Sequence, residues 1–308
     1  SSLRYSYFIM GIPNAIFQKY PWLSISPVKF EEYLLPSYYD RILKEYIFEN
    51  KTDLMFLEEV LDKNPTISRV LELGPGPGRA TRTLLDTATQ IKKLTLVDLS
   101  RQMLTRCNER FSDKNFILYV QSDSIDFLNS TDKSFDLAFS MWSLSHSIHQ
   151  TLFKLGEDNG TRKIESAIYK FVSKNISSGG KFFIMQFDSL SEEQKISIRQ
   201  RGRRYPFYKN RVTQSPAKII FDSTFEKLES QGIIDFTCVH HTGEPIEFKF
   251  LDEALEYYMN FHMESLFNTS EDTGEIIKEL SEDIGKYKNT DGIIRIKPGC
   301  FIYEVTKN

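Results

Sequence analysis

An apolar strand that runs into three alternating glycines is the feature that most constrains the fold of this chain. The segment reads Val70-Leu-Glu72-Leu-Gly74-Pro-Gly76-Pro-Gly78-Arg-Ala-Thr81. Glycine has no Cβ, so the backbone can turn sharply there and a ligand can approach the main chain at contact distance. A purely structural turn rarely needs three glycines between a strand and a helix. The segment therefore predicts a βα unit whose turn binds a ligand.

Short apolar runs alternate with helical stretches after Pro65, a pattern that is typical of βαβ units and a parallel sheet. The runs that predict strands are residues 69–73, 93–97, 116–120, 135–140, 181–187, 233–240 and 300–305. Residues 79–90 and 100–111 have the length and apolar periodicity of crossover helices. We therefore predict an α/β fold with a doubly wound, seven-stranded, mostly parallel sheet.

The segments outside these runs predict helices around the sheet. Residues 29–62 carry apolar side chains at helical spacing, and charged helical segments flank the sixth strand. We predict an N-terminal helical cap over residues 1–65 and a ligand-binding domain over residues 66–308, with helical insertions at about 191–231 and 251–288. These insertions are expected to form a lobe over the carboxyl edge of the sheet, where open α/β sheets bind ligands.

Two features of the glycine segment distinguish it from a dinucleotide site. A dinucleotide fingerprint needs G-x-G-x-x-G/A, and counting from Gly74 and Gly76 places Arg79 at the last position. A bulky residue there would crowd the helix against the strand. The acidic Glu72 before the turn also fits poorly beside a pyrophosphate, whereas it suits a ligand that carries an ammonium and a sulfonium charge.

The second strand ends in an acid within Leu94-Thr-Leu-Val-Asp98-Leu-Ser100. A carboxylate at this position can accept hydrogen bonds from both ribose hydroxyls of a nucleoside. The alternative for Asp98 is a helix N-cap, but Ser100 already offers one for the helix that begins at Arg101. We therefore favour the ribose contact.

These motifs resemble those of class I S-adenosylmethionine-dependent methyltransferases. Glu72-Leu-Gly74-x-Gly76-x-Gly78 looks like the first motif of that family, and Val97-Asp98-x-Ser100-x-x-Met103-Leu104 is similar to the second. The resemblance implies that the glycine turn wraps the methionine part of S-adenosylmethionine and that Asp98 takes the ribose. It places Leu99 and Met103 near the adenine. S-adenosylhomocysteine is then the product, and no metal is expected.

The resemblance extends to the third and fourth strands. After the third strand the family has an acid or amide that receives the adenine amino group, which implies Asp123, with Ser124 beside it. The alternative is that Asp123 is an ordinary turn residue. After the fourth strand the family has a loop that faces the cofactor sulfur. This implies that the loop beginning at Ser140 and Met141 and running to His149 lies beside the reactive methyl group.

Histidine is the expected proton acceptor if this chain transfers methyl groups. The transfer is an in-line displacement, and a hydroxyl or ammonium acceptor must also lose a proton. His146 and His149 have the spacing that puts side chains on one helix face, and either is predicted as the general base, with a surface or capping role equally open. We predict His240 and His241 as pocket or turn residues and His262 as a satisfied core residue.

Charge and aromatic content bear on the acceptor. With 39 Lys and Arg against 42 Asp and Glu, the net charge of −3 gives no overall attraction to nucleic acid or an anionic membrane. The basic segment 199–211 is the local exception. Aromatic residues of the insertions and the N-terminal segment are expected to wall an apolar pocket; they are Tyr33, Tyr38, Tyr39, Tyr205, Phe207, Tyr208, Tyr257, Tyr258, Phe261 and Phe267.

We therefore predict an S-adenosylmethionine-dependent methyltransferase that acts by O- or N-methylation on a small organic or biosynthetic-intermediate acceptor, without a membrane or nucleic-acid partner. One alternative is an RNA or protein methyltransferase that uses residues 199–211. Another is a cofactor-binding module without catalytic activity.

Cysteine usage and hydropathy favour a cytoplasmic protein. The three cysteines have no CxxC spacing, so the sequence suggests neither a zinc site nor a disulfide framework. No second carboxylate cluster has the spacing of a magnesium site. No apolar run has the roughly 18 residues of a spanning helix, and the first residues lack the pattern of a signal peptide.

Overall fold

A seven-stranded sheet forms the centre of the protein in the computed structural model, which describes residues 14–25, 42–208, 214–262 and 272–308. The nine strands are β1 Arg69–Leu73, β2 Lys93–Asp98, β3 Ile117–Gln121, β4 Phe135–Met141, β5 Ile176–Phe187, β6 Ile234–Thr242, β7 Ile246–Phe248, β8 Ile294–Ile296 and β9 Gly299–Lys307. The order in the large sheet is β3-β2-β1-β4-β5-β9-β6, and β9 is antiparallel to both neighbours. The predicted fold class is confirmed.

Helices cover both faces of this sheet. The α-helices are α1 Asn14–Lys19, α2 Asp53–Lys63, α3 Arg79–Thr87, α4 Arg101–Arg110, α5 Ser124–Ser130, α6 Leu144–Leu155, α7 Glu157–Asn175, α8 Glu192–Ile196, α9 Ile198–Arg204, α10 Pro216–Ser230, α11 Leu251–Tyr257 and α12 Thr273–Gly285. Short 3₁₀ helices span Pro21–Ile25 and Pro206–Tyr208, and a π-helical turn spans Tyr258–His262.

Two hydrophobic clusters fill the space between the sheet and these helices. Because side chains alternate along a strand, β5 contributes Phe183 and Met185 to one cluster and Phe182 and Ile184 to the other. The first cluster includes side chains of α2, α3, α4, α11 and α12, and the second includes those of α5, α6, α7 and α10. Burial on both faces explains why the predicted strands read as continuous apolar runs.

The N-terminal cap was predicted from the helical pattern of residues 29–62. Within that range the structure shows α2, whose residues Phe56 and Leu57 are buried in the first cluster, while residues 29–41 lie outside the described ranges. The division into a cap and a ligand-binding domain stays a prediction. In the described ranges, no helix combines the length and the apolar character needed to cross a membrane.

Helices α8, α9 and α10 lie within the first predicted insertion, and α11 and α12 lie within the second. The assignment of these helices to a lobe stays a prediction. Strands β7 and β8 pair antiparallel into a separate two-stranded sheet that the sequence analysis missed. Each has three residues, which is too short to show the alternation that predicts a strand. In the second insertion, α11 is followed by the π-helical turn, and residues 263–271 lie outside the described ranges.

Candidate active site

The turn between β1 and α3 places its three glycines in left-handed conformations, with φ of 71° at Gly74, 53° at Gly76 and 95° at Gly78. A Cβ on Gly74 would lie 2.3 Å from Ser143 Oγ, and one on Gly78 would lie 2.7 Å from the ring of Phe111. A Cβ on Gly76 would have no heavy atom within 4 Å. The outer glycines are therefore required by close packing, and the central one faces open space above the turn.

Glu72 is buried at the end of β1, directly before this turn. Its side chain is 2% exposed and accepts a hydrogen bond from the Thr81 hydroxyl on α3. In the described part of the chain, no basic side chain forms an ion pair with it. Burial raises the pKa of the Glu72 carboxyl to about 8, and the nearby Asp98 carboxyl adds to the shift. The turn therefore contains a carboxyl group that lacks a cationic partner.

Asp98 joins the end of β2 to the glycine turn. Its Oδ2 accepts the Gly76 N–H at 3.1 Å, and its Oδ1 accepts the Ser100 N–H at 2.9 Å. Burial raises the pKa of this carboxyl as well. Ser100 caps α4 by accepting the Met103 N–H at 3.3 Å, which confirms that the cap is supplied by Ser100. Each Asp98 oxygen retains lone-pair capacity for a second donor.

The residues assigned to the adenine follow β2 and β3. Leu99, the residue after Asp98, is 65% exposed and presents an apolar side chain to solvent, whereas Met103 is buried in α4. Asp123 is the N-cap of α5, where its Oδ1 accepts the Ile125 N–H at 2.8 Å. Asp123 thus caps a helix, and this local structural role is similar to the turn role that was the alternative to an adenine contact. Ser124 is buried at the first position of α5. An adenine contact by these residues stays a prediction.

The loop after β4 is bonded to the end of β1. Ser143 Oγ donates to the Leu73 carbonyl at 2.9 Å and lies 2.9 Å from Ser140 Oγ. Ser140 Oγ accepts the Leu144 N–H at 3.1 Å, which ties the strand to the first turn of α6. Met141 is buried in the first hydrophobic cluster. The predicted cofactor-facing loop therefore begins in direct contact with the glycine turn.

Trp142, the first residue of this loop, has a strained backbone conformation. Its φ of 67° is uncommon for a bulky side chain, and its N–H donates to the Met185 carbonyl at 2.8 Å. The indole stacks on Phe187 at a centroid distance of 4.3 Å and donates from Nε1 to Asp53 Oδ2 at 2.8 Å. Asp53 is fully buried and forms an ion pair with Arg79. The buried pair thus joins α2, α3 and the loop after β4.

A second group of polar side chains lies near Trp142; we call Tyr46, Glu193, Tyr257 and His262 the Glu193 cluster. Glu193 Oε2 accepts from the phenol of Tyr46 at 2.9 Å and from that of Tyr257 at 3.3 Å. His262 Nε2 lies 3.2 Å from both Glu193 Oε1 and the Tyr46 hydroxyl. Burial and the Glu193 carboxyl raise the pKa of both phenols.

Tyr46 and Glu193 were not predicted as site residues. His262 was predicted to be a satisfied core residue, and its buried ring packs against Phe187 and Phe261. Its Nε2 also lies near the polar groups of the Glu193 cluster. Glu193 has the sequence context of an exposed first-turn acid in α8, and it is separated from Tyr46 by 147 residues. The available signals were the position of Trp142 directly after β4 and the aromatic residues Tyr257 and Phe261, which were expected to wall a pocket.

The predicted general bases have different surroundings. His146 and His149 are both in the first half of α6, and His146 is exposed. The His149 ring lies 3.3 Å from the Tyr208 hydroxyl, and its Nε2 accepts the Ala217 N–H at 3.3 Å. Burial, with Arg201 and His146, lowers the pKa of His149 to about 3. A base role stays a prediction for both histidines.

His240 and His241 lie at the end of strand β6. His240 Nε2 is 2.7 Å from Asp188 Oδ2, and His241 is buried beside Phe56. A pocket role for them stays a prediction. Neither residue contacts the glycine turn in the contacts observed.

The basic segment that begins at Arg199 faces the acidic side of α12. Arg199 Nη2 lies 3.0 Å from Asp283 Oδ1, with Glu282 at 3.7 Å from Nη1. Arg203 forms an ion pair with Glu279. Residues 209–213 lie outside the described ranges. The acids of α12 offset the charge of this segment, so the surface is less suited to a polyanion than the sequence alone indicates.

Comparisons with known proteins bear on the glycine turn and the loop after β4. Residues 70–155 match a family model described as a methyltransferase domain, and this range runs from β1 to α6. No curated protein sequence matches the chain significantly.

Solved structures show low similarity to the chain. A candidate methyltransferase from Bacillus halodurans C-125 is 16% identical, with a TM-score of 0.49, over 83% of this chain and 98% of that one. N-methyltransferase NodS from Bradyrhizobium japonicum, bound to S-adenosylhomocysteine, is 16% identical, with a TM-score of 0.42, over 83% and 84%. The plantazolicin methyltransferase BamL, also bound to S-adenosylhomocysteine, is 14% identical, with a TM-score of 0.44, over 83% of each chain.

Proposed function

Because the chain carries a class I S-adenosylmethionine-dependent methyltransferase domain, we propose that it methylates an oxygen or nitrogen atom of a small organic acceptor. The observation that carries the proposal is the pair of carboxyl groups, Glu72, which is buried, and Asp98, which is half-buried, at a glycine turn that is open above Gly76. Neither carboxyl has a cationic partner among the described side chains. A ligand with ammonium and sulfonium charges would complete this arrangement.

The residues around the turn fit the parts of the donor in order. We assign Glu72 to the charged methionine part and Asp98 to the ribose hydroxyls, because Asp98 Oδ2 already accepts the Gly76 N–H of the turn. Leu99 and Met103 offer apolar contact to the adenine. When bound, S-adenosylmethionine supplies an activated methyl group on sulfur.

Four further residues are assigned to the donor in the same proposal. Asp123 and Ser124 lie at the end of β3, where they would contact the edge of the adenine. Ser140 and Met141 lie at the end of β4, next to the loop that contacts Gly74 through Ser143.

A small acceptor is supported by the surroundings of Trp142. The carboxyl ends of β4 and β5 bring Trp142 and Phe187 into stacking contact, and further aromatic rings surround them. Aromatic walls with a few polar groups are typical of small-molecule sites. A macromolecular acceptor has less support, because α12 offsets the charge of the basic segment at Arg199 and Arg203.

The proposal is tested by following a labelled methyl group. The purified chain is incubated with S-adenosylmethionine carrying a tritiated methyl group and a cell extract separated into low-mass, protein and nucleic-acid fractions. We expect transfer to the low-mass fraction, and none with the Asp98→Ala variant. Label found only in protein or nucleic acid would contradict a small acceptor. Donor binding without transfer to any fraction would instead support a cofactor-binding module without activity.

A further inference from the structure

Glu193 is a buried carboxyl group with an incomplete set of partners. Its side chain is 1% exposed. Oε2 accepts from two phenols, but Oε1 makes no hydrogen bond, although His262 Nε2 lies 3.2 Å away. Among the side chains that the structure describes, no Lys or Arg forms an ion pair with it. A carboxylate in such a place is unfavourable unless a cation or further donors accompany it.

Aromatic rings surround this carboxyl group. The ring of Tyr46, which donates to Glu193, lies 6.3 Å from that of Trp142, 5.7 Å from Phe187 and 6.2 Å from Phe261, measured between centroids. The ring of Tyr257, the second donor, lies 5.5 Å from Phe261. Aromatic faces attract organic cations through their quadrupoles, most strongly where water is excluded. Rings around a single buried carboxyl therefore form a site that suits a cation.

The position of these rings connects them to the glycine turn. Trp142 is the neighbour of Ser143, whose hydroxyl packs against Gly74, and Phe187 is the last residue of β5. Tyr257 ends α11, and Phe261 and His262 belong to the π-helical turn that follows it. Single π-helical turns occur frequently at functional sites. The rings are thus connected to Gly74 through Trp142 and Ser143.

Given the methyl transfer proposed above, we propose that Glu193 and the rings of Tyr46, Trp142, Phe187 and Phe261 bind a cationic nitrogen of the acceptor. The acceptor is then a protonated amine or a quaternary ammonium compound. Oε1 of the carboxyl group contacts the cation, and the faces of the rings attract it. A neutral group of the same shape would be attracted less strongly by both. The cation is a recognition element of the acceptor.

The test compares cations with neutral molecules of the same shape. The full chain, saturated with S-adenosylhomocysteine, is titrated calorimetrically with choline and with 3,3-dimethylbutan-1-ol, and with benzylammonium and benzyl alcohol. We expect each cation to bind about tenfold more tightly than its neutral counterpart. Equal affinities within both pairs, or no binding of either cation, would overturn the proposal. In that case Glu193 would have no partner other than Tyr46, Tyr257 and His262.

Variants locate the preference within the cluster. Glu193→Gln keeps the shape but removes the charge, and we expect it to lose the tenfold preference. Glu192→Gln is the matched control, because Glu192 is the adjacent acid and accepts the Lys297 N–H instead. A preference that survives Glu193→Gln would overturn the proposal.

A second variant tests the cation site independently, in case Glu193→Gln does not fold. We expect Phe261→Leu to weaken cation binding by about threefold and to leave the neutral molecules unaffected. Equal weakening of cations and neutral molecules would contradict a cation site. S-adenosylhomocysteine affinity is measured for every variant. Failure of wild-type protein to bind it rejects the proposed function, whereas intact binding without cation preference rejects only the cation site.

Discussion

The hydroxyl of Ser143 occupies the space that a side chain on Gly74 would need, since a Cβ there would lie 2.3 Å from Ser143 Oγ. The same hydroxyl donates to the Leu73 carbonyl. The loop after β4 is therefore fixed against the glycine turn, and the part of the site assigned to the donor is continuous with the part assigned to the acceptor.

Gly74→Ala is expected to separate these two parts. The substitution adds a side chain at φ of 71° and displaces Ser143, so we expect a loss of about 2 to 3 kcal/mol in the free energy of unfolding, together with weaker donor binding. Gly232→Ala is the matched control, because Gly232 has φ of 72° but open space around it. We expect that control to lose about 1 kcal/mol and to keep its donor affinity. Equal effects of both variants on urea unfolding and binding would argue against the contact.

Glu72 is expected to make stability fall as the pH rises. The folded chain raises the pKa of this carboxyl from 4.5 to about 8, so between these values the folded state holds a proton that the unfolded state has lost. Stability should therefore decline by up to about 1.4 kcal/mol per pH unit in this window. Glu72→Gln removes the contribution, so its stability relative to wild type should rise from pH 5 to pH 8. Parallel stability curves from urea unfolding would show that Glu72 titrates normally.

The two histidines of α6 are expected to behave differently. Because the pKa of His149 is lowered to about 3, its ring should stay neutral, and its NMR signals should not shift between pH 5 and pH 9. A titration midpoint near 6.5 would contradict the buried environment. If His146 is the base, His146→Ala should lose turnover while keeping donor affinity, and full activity of that variant would exclude the role.

Local sequence patterns predicted the sheet and the glycine turn because each depends on neighbouring residues. The inner strands of the sheet are buried on both faces, so their apolar runs are continuous. Ser100 caps α4 within three residues of its partner. The glycines at 74 and 78 have the conformations that a strand-to-helix turn requires.

Contacts between distant residues could not be predicted in this way. The ion pair of Arg79 with Asp53 joins two helices. Arg199 contacts acids of α12 that are 80 or more residues away in the sequence. Glu193 has the sequence context of an exposed acid and is buried only because Tyr46 and Tyr257 fold over it. A single sequence contains no signal for such pairs, whereas its periodicity shows where helices and strands occur.

Calorimetric titration of S-adenosylhomocysteine into wild-type protein and Asp98→Ala tests the central claim most directly. We expect the wild type to bind and Asp98→Ala to bind about 100-fold more weakly, because two charge-assisted hydrogen bonds are lost. Asp86→Ala, which changes an exposed acid of α3, should match the wild type. Unchanged affinity of Asp98→Ala, or tighter binding of NAD than of S-adenosylhomocysteine by the wild type, would contradict the assignment of this turn to the methyl donor.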